Sequence, residues 1–397
     1  MHRGDTVVSM DHRDTANACY LCYVSQAAVN NLPPLLFATF QRQFHVDIFH
    51  VGLLVMLNFG TQLLANLATG RISQKIGYRR SIVLSAWCST LGLVLLGLLP
   101  RWFGFSGVMA ALLIGAFGCG VGDVLGSAII QALPRTSGNG NPMALLHSAY
   151  CWGMVLVIGI SSLLFHLLGL DAWPVVAWFW ALFPLCDAFL FLRVPMVSME
   201  DGRTDGTSLR SLFSHPVFWV LGGMMFCAAG SEISMNQWAS LFAEQGLGVD
   251  KAVGDLLGPC LFALCMAVVR TWYGVSGARI PLRRVLGFSA LVAVLLYGVA
   301  VFSPNRFVAL LGCAFTGFAV ALLWPGTLSL SATVLPHGGT MLFGTLAFFG
   351  NIGSTLGPQV VSLASSASGD LKRGLLLAGL FPLGMAILTA FSGSDGS

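Results

Sequence analysis

Twelve runs of mostly apolar residues, each about 20 to 25 positions long, alternate with short polar turns along the 397 residues of this chain. That length suits a helix crossing a bilayer. Only structures that satisfy their own peptide groups are stable in the hydrocarbon core, which excludes open sheets and makes the spans helices. The pattern predicts them at Ala16–Phe40, Val51–Thr69, Ser81–Leu99, Ser106–Gln131, Met143–Leu168, Trp173–Leu192, His215–Ala243, Val253–Tyr273, Val285–Phe302, Arg306–Thr333, Gly339–Ala367 and Leu371–Phe391. The fold class that follows is an all-α polytopic membrane protein of twelve transmembrane helices.

The polar interruptions carry a repeat. Between the second and third spans a basic run extends from Gly70 to Arg80, with Arg71, Lys75, Gly77 and Arg79 inside it. Glycines at both ends of a tight loop, with arginines just beyond, suit a turn that keeps its charges on one water-facing side. A weaker copy begins 204 positions after Gly70, at Gly274, with Gly277 and Arg279. Arg283 and Arg284 then hold from Gly274 the spacing that Arg79 and Arg80 hold from Gly70. The fourth span ends in Ala132-Leu133-Pro134 and the tenth in Val334-Leu335-Pro336, an offset of 202. Two six-helix bundles related by pseudo-two-fold symmetry are implied, an arrangement that places a site at the midplane between halves. The hydrophilic stretch Arg193 to Ser214 divides them. The expected organisation is an N-terminal segment 1–15, a bundle 16–193, a linker 194–214, a bundle 215–392 and a tail 393–397.

Composition agrees: 56% of residues are hydrophobic and 9% charged, against about 25% charged in soluble domains. With the N-terminus cytoplasmic, thirteen Lys and Arg fall on the inner side and six on the outer, Arg270 lying near an inner helix end, so both termini are expected on the cytoplasmic side. The net charge of +4 reflects this asymmetry and no nucleic-acid surface. Most of the ten cysteines lie in apolar spans and read as small hydrophobes, and the Cys19–Cys22 pair has no partners that would make a metal site.

Ionisable groups inside lipid are costly and ask for a reason. Asp123 in the fourth span and His147 in the fifth lie at depths that side chains on adjacent helices can bridge, and burial favours the uncharged form of each, so they form a candidate proton-coupling pair; the alternative is that each is simply hydrogen-bonded within the bundle. Glu232, Asn236 and Ser240 share a face of the seventh span, bordered by Gln237 and Trp238. A carboxylate, amides and an indole at a cavity can hold a polyhydroxylated solute, and Glu232 is also a candidate for coupling. Asn58, Gln62 and Asn66 repeat the four-residue spacing in the second span, as Gln26 and Asn30 do in the first. Pro33 and Pro34 are expected to interrupt the first helix and free carbonyls near the site. Trp324, beside Pro325, and Asn351 are second-half candidates. Asp187 and Arg270 are expected in interfacial ion pairs, and Asp255 at an outer helix start.

The run from Gly70 to Arg80 resembles the loop after the second helix in the major facilitator superfamily, with Gln74 where that motif has an acid. Within it the chain resembles the fucose, galactose and glucose:proton symporter group. The likeness rests on Val29-Asn30-Asn31-Leu32-Pro33-Pro34, Ala144-Leu145-Leu146-His147, Gly230-Ser231-Glu232 through Gln237-Trp238, and Leu346 to Gly353. The resemblance implies alternating access and a proton carried between acids of the first and fourth helices. Here Asp123 supplies the fourth-helix acid and Asn31 stands in the first.

No P-loop, H-E-x-x-H or G-x-S-x-G is present, so neither ATP hydrolysis nor membrane-embedded enzymology is indicated. The reading is a secondary transporter of a small polar solute, sugar-like and proton-coupled, with efflux of drugs or amphipathic compounds as the alternative. The expected partners are a small-molecule substrate, protons and membrane lipid, with no cofactor, no metal and no nucleic acid, and the chain acting as a monomer.

Overall fold

A computed structural model describes residues 12–133, 142–196, 209–276, 280–336 and 339–392. Among them no strand occurs, and twelve helical spans pack into two bundles of six. Ten helical segments meet the length and apolarity of a membrane crossing. The first span, His12–Leu35 followed by Phe37–Phe44, falls outside those ten because it carries polar residues and breaks at Leu36. The eleventh, Gly339–Ser368, is rich in Gly, Ser and Thr. Residues 1–11 of the expected N-terminal segment, 197–208 of the linker and the tail 393–397 lie outside the described residues, as do Pro134, Arg135, Gly277 and Arg279.

The basic run is less of a loop than its glycines suggest. The second span, Ile48–Ile76, stays helical through Gly70, and the whole turn is Gly77, at φ 86° and ψ 152°. That left-handed φ strains any residue with a Cβ. A Cβ at Gly70 would meet nothing within 4 Å, so only the second glycine is required by the backbone. The third span, Tyr78–Leu98, begins at once. Its Arg79 Nη1 donates to the carbonyls of Phe191 (2.8 Å) and Leu192 (2.9 Å), at the end of the sixth span Trp173–Arg193. In the second half Arg283, opening the ninth span Leu282–Phe302, donates through Nε to Thr389 (3.0 Å) and through Nη2 to Ala390, at the end of the twelfth span. Helix ends leave carbonyls unpaired and carry partial negative charge, so a cation there is favourable. The sequence repeat is thus a repeated helix cap.

Inside the first half, the fourth span Pro100–Ala132 is pressed against its neighbours. A Cβ on Gly92 of the third span would come within 2.5 Å of Gly115 Cα, so the third helix tolerates no larger residue there. Between halves, the second span lies along the eleventh, the fifth (Pro142–Leu168) along the eighth, and the first meets the seventh (Pro216–Leu241). The eighth span comprises Lys251–Asp255, a π turn Leu256–Cys260 around Pro259, and Leu261–Ser276. The tenth, Arg306–Val320 and Leu323–Val334, breaks at Ala321 and Leu322, just before Pro325.

Candidate functional site at the junction of the halves

Two proline-freed carbonyls organise the centre. The first helix continues through Pro33 and Pro34 and breaks two residues later than the prolines themselves, at Leu36. Pro34 has no N–H to offer the carbonyl four residues back. That carbonyl, of Asn30, instead accepts from Gln237 Nε2 of the seventh span at 3.3 Å. Pro325 likewise leaves Ala321 without its helical donor, and Arg270 Nε supplies one at 2.9 Å.

Around the first of these lies a ring of amides. Asn30 Oδ1 accepts from Asn58 Nδ2 (3.1 Å) and Gln62 Nε2 (2.8 Å). Asn31 Nδ2 donates to the Ala27 carbonyl (2.9 Å) and the Tyr150 hydroxyl (3.2 Å), and its Oδ1 accepts from Asn236 Nδ2 across the halves at 2.8 Å. Gln26 lies one turn below Asn30, buried, with Nε2 3.6 Å from Cys22 Sγ. Two oxygens in this ring, Asn58 Oδ1 and Asn236 Oδ1, are buried without a hydrogen-bond partner. Asn30, Asn58 and Gln237 also line a cavity of about 10 Å³, room for one water. The halves are in direct contact here.

The second-half candidates divide. Trp238 is fully buried against Phe37, and its indole N–H is taken by the Pro358 carbonyl at 3.1 Å, so it ties the seventh helix to the eleventh. Trp324 lies on the eleventh helix so closely that a Cβ on Gly350 would fall 2.2 Å from its ring. Asn351 Nδ2 reaches Asn66 at 2.9 Å once the Asn66 amide is oriented to accept.

Glu232 is paired. Its carboxylate accepts from Arg270 Nη2 at 2.6 Å, with both side chains buried. Arg270 Nη1 also reaches Cys151 Sγ of the other half at 3.3 Å. This corrects the expectation of Arg270 at an interface near a helix end: its partner is the single mid-span acid of the second half. Asp187, expected in a similar pair, is 1% exposed and forms no ion pair among the described residues. Asp255 is likewise buried, bound by Lys251 (3.0 Å), Ser240 and, from the other half, Ser162 (3.4 Å).

Asp123 and His147 do not touch directly. Tyr23 stands between them: its hydroxyl lies 2.9 Å from Asp123 Oδ1 and 2.7 Å from Ser127 Oγ, and its ring meets His147 edge-on at 5.6 Å. Sequence reasoning passed over Tyr23, although it shares a helical face with Gln26 and Asn30. Of the basic run, Arg71, Lys75, Gln74 and Arg80 are exposed, and Arg79 is the member with a structural task.

The geometry can be set beside known proteins. Residues 19–358 match the model of the Major Facilitator Superfamily. A Helicobacter pylori protein provisionally named a glucose/galactose transporter is 23% identical over 358 residues, 86% of each chain. Among solved structures, a D-xylose-proton symporter superposes with TM-score 0.78 at 13% identity, covering 97% of each chain. The transporter FucP in its outward conformation superposes at 0.67, with 18% identity over 96% of this chain and 98% of its own. With its twelve helices in two bundles and a family match over most of its length, the chain belongs to the Major Facilitator Superfamily of multi-pass membrane transporters.

Proposed function

We propose that this transporter carries a small neutral polyhydroxylated solute of the sugar class, coupled to protons, across a bacterial inner membrane with both termini cytoplasmic. The observation that carries the reading is the pair of unpartnered amide oxygens, Asn58 Oδ1 and Asn236 Oδ1, one from each half: Asn236 itself donates across the halves to Asn31, and Asn58 donates to Asn30, whose carbonyl accepts from Gln237 of the other half. A buried acceptor without a donor is unfavourable, and a hydroxylated ligand supplies donors when the halves part. Glu232, one turn before Asn236, is neutralised by Arg270, which supports an uncharged solute. Gln26, Asn30, Asn31, Gln62 and Gln237 complete the polar wall, Trp324 and Asn351 border it, and Asp123 with Tyr23 and His147 offers a route for the proton. Glu232 joins that route only when Arg270 releases it.

An apolar groove of about 420 Å³ at the seam of the fifth and eighth spans, between Trp152 and Trp272, favours the second reading, efflux of amphipathic compounds. Uptake into proteoliposomes with an imposed pH gradient separates the two. Accumulation of D-glucose, D-galactose, L-fucose or D-xylose that is lost in Asn58→Ala and Asn236→Ala supports the sugar reading. Proton-driven movement of an amphipathic dye, with none of these sugars accumulated, overturns it.

A further inference from the structure

Two deeply buried acids stand outside the proposed site, and of these Asp255 is paired with Lys251 while Asp187 has no ion-pair partner among the described residues. Asp187 lies in the sixth span six residues before its end at Arg193, about 9 Å in along the helix axis. Its side chain is 1% exposed, and Oδ1 has no hydrogen-bond partner. The facing titratable groups from the first span are the thiols of Cys19 and Cys22, both buried. From the third span comes Arg79, but its guanidinium is engaged one turn further on by the carbonyls of Phe191 and Leu192. From the fifth, His147 is turned to Tyr23. Among the described residues, therefore, no cation compensates Asp187. An ionised carboxylate in such a site pays a desolvation penalty of several kcal/mol with nothing to offset it, whereas a carboxylic acid does not.

Cys22 connects this acid to the site. It neighbours Asp187 on one side and lies 3.6 Å from Gln26 Nε2 on the other. Gln26 is one helical turn from Asn30, whose carbonyl joins the halves through Gln237. Ionising Asp187 requires water to reach it. A displacement of the first helix away from the sixth would admit water and would carry Gln26 and Asn30 with it.

We propose that Asp187 is a second proton-carrying carboxyl of the first half, neutral in this closed conformation and ionised when the first helix moves. The step is simple: while the site is open to water, Oδ1 of the carboxylate takes one proton from hydronium, leaving water, and on a later opening the acid returns that proton to water, leaving hydronium. The inference rests on the proton-coupled reading of the transporter and adds a carrier to it.

Infrared difference spectroscopy of the full-length protein in lipid nanodiscs, with aspartate side chains carbon-13 labelled, reads this carboxyl without a solute. A protonated-carboxyl carbonyl band at neutral pH that disappears in Asp187→Asn is the expected result. Cys22→Ser, which leaves the aspartate in place, shifts the same band and serves if Asp187→Asn does not fold. A spectrum in which that band is absent, or is lost in Asp123→Asn alone and indifferent to Cys22→Ser, overturns the proposal. In proteoliposomes, Asp187→Asn is expected to lose accumulation of D-galactose driven by a pH gradient while retaining D-galactose exchange. Wild-type protein that moves no protons with any sugar refutes the proposed function and leaves the infrared result to decide the state of Asp187. Wild-type protein that does so, with Asp187→Asn equally active, refutes the role of Asp187 in coupling.

Discussion

The guanidinium of Arg270 lies 2.6 Å from the carboxylate of Glu232, and both side chains are buried. Removing one member of a buried pair leaves an uncompensated charge and costs about 3 to 5 kcal/mol, while replacing both with apolar residues of similar size is often neutral. Glu232→Gln is therefore expected to lower the melting temperature of the purified protein well below that of Glu232→Leu/Arg270→Met. Arg270→Lys should resemble Glu232→Gln, because one ammonium on a flexible stem cannot serve Glu232, the Ala321 carbonyl and Cys151 together. Thermal unfolding in detergent checks the order; a double variant no more stable than Glu232→Gln would refute it.

Pro34 acts through what it lacks. An alanine there supplies an N–H to the Asn30 carbonyl, which then no longer depends on Gln237. A net hydrogen bond is worth about 0.5 to 1.5 kcal/mol, enough to shift a two-state equilibrium by roughly two- to tenfold. Pro34→Ala should leave the melting temperature unchanged or raised while loosening the closed state. Faster hydrogen exchange across Gln237 and its neighbours, with global stability retained, is the expected signature. Unchanged exchange there would mean that the cross-half bond contributes nothing.

Much of this was legible in the sequence, and the parts that were not share a cause. Apolar run length revealed the spans, because a bilayer has one thickness. The spacing of Arg79 and Arg283 from their glycines revealed the repeat, because each must reach the end of a helix at the same place in its half. The four-residue steps of Asn58, Gln62 and Asn66 revealed a polar face. Partners were harder to read. Arg270 and Glu232 meet because two antiparallel helices happen to align, and depth counted from helix ends misplaces both when helices tilt. An intramembrane arginine nonetheless demands an acid, and Glu232 is the second half's single mid-span candidate. Tyr23 escaped notice because a tyrosine in an apolar run reads as packing until its hydroxyl is seen on Asp123.

Arg79 and Arg283 should be equivalent in effect. A cation on the carbonyls of a helix C-terminus contributes about 0.3 to 2 kcal/mol, depending on exposure. Arg79→Ala and Arg283→Ala should each lower stability by an amount in that range, and the double variant by their sum, since the two arginines bind the ends of different helices. Arg79→Lys should recover most of the loss. A double variant far worse than the sum would show that the caps communicate through the bundle.

At the face opposite the termini, Asp47 caps the second helix. Its Oδ1 accepts from the His50 backbone N–H at 2.9 Å and lies 2.6 Å from His50 Nδ1, and these bonds hold the carboxyl below its ordinary value. A group with a depressed folded-state value contributes stability that is present above the unfolded value and lost as pH falls through the folded one. Protection of the first turn of Ile48–Ile76, corrected for intrinsic exchange, should fall as the pH is lowered through the range below an ordinary aspartate. Asp47→Ser retains a cap without titrating, so its protection should be flat across that range.

The same face carries two fastenings of different character. Arg42 lies 3.4 Å from Glu244, with the arginine 61% exposed, and Gln245 Nε2 donates to Gln41 at 2.9 Å, joining Phe37–Phe44 to the π turn Phe242–Gly246. Deeper in, Asp255 is held by Lys251 and by Ser162 of the other half. An exposed pair is worth at most about 1 kcal/mol and is screened by salt, whereas a buried one is screened far less. Raising the salt concentration should therefore make the wild type behave like Arg42→Ala, with faster hydrogen exchange in Phe37–Phe44 and Phe242–Gly246, and leave exchange in Lys251–Asp255 unaltered. Asp255→Asn should act in the opposite pattern, loosening Lys251–Asp255 at every salt concentration because it unpairs a half-buried lysine. If salt loosened both regions equally, the deeper cluster would have to be open to water, and the closed face would rest on Arg42 and Glu244 alone.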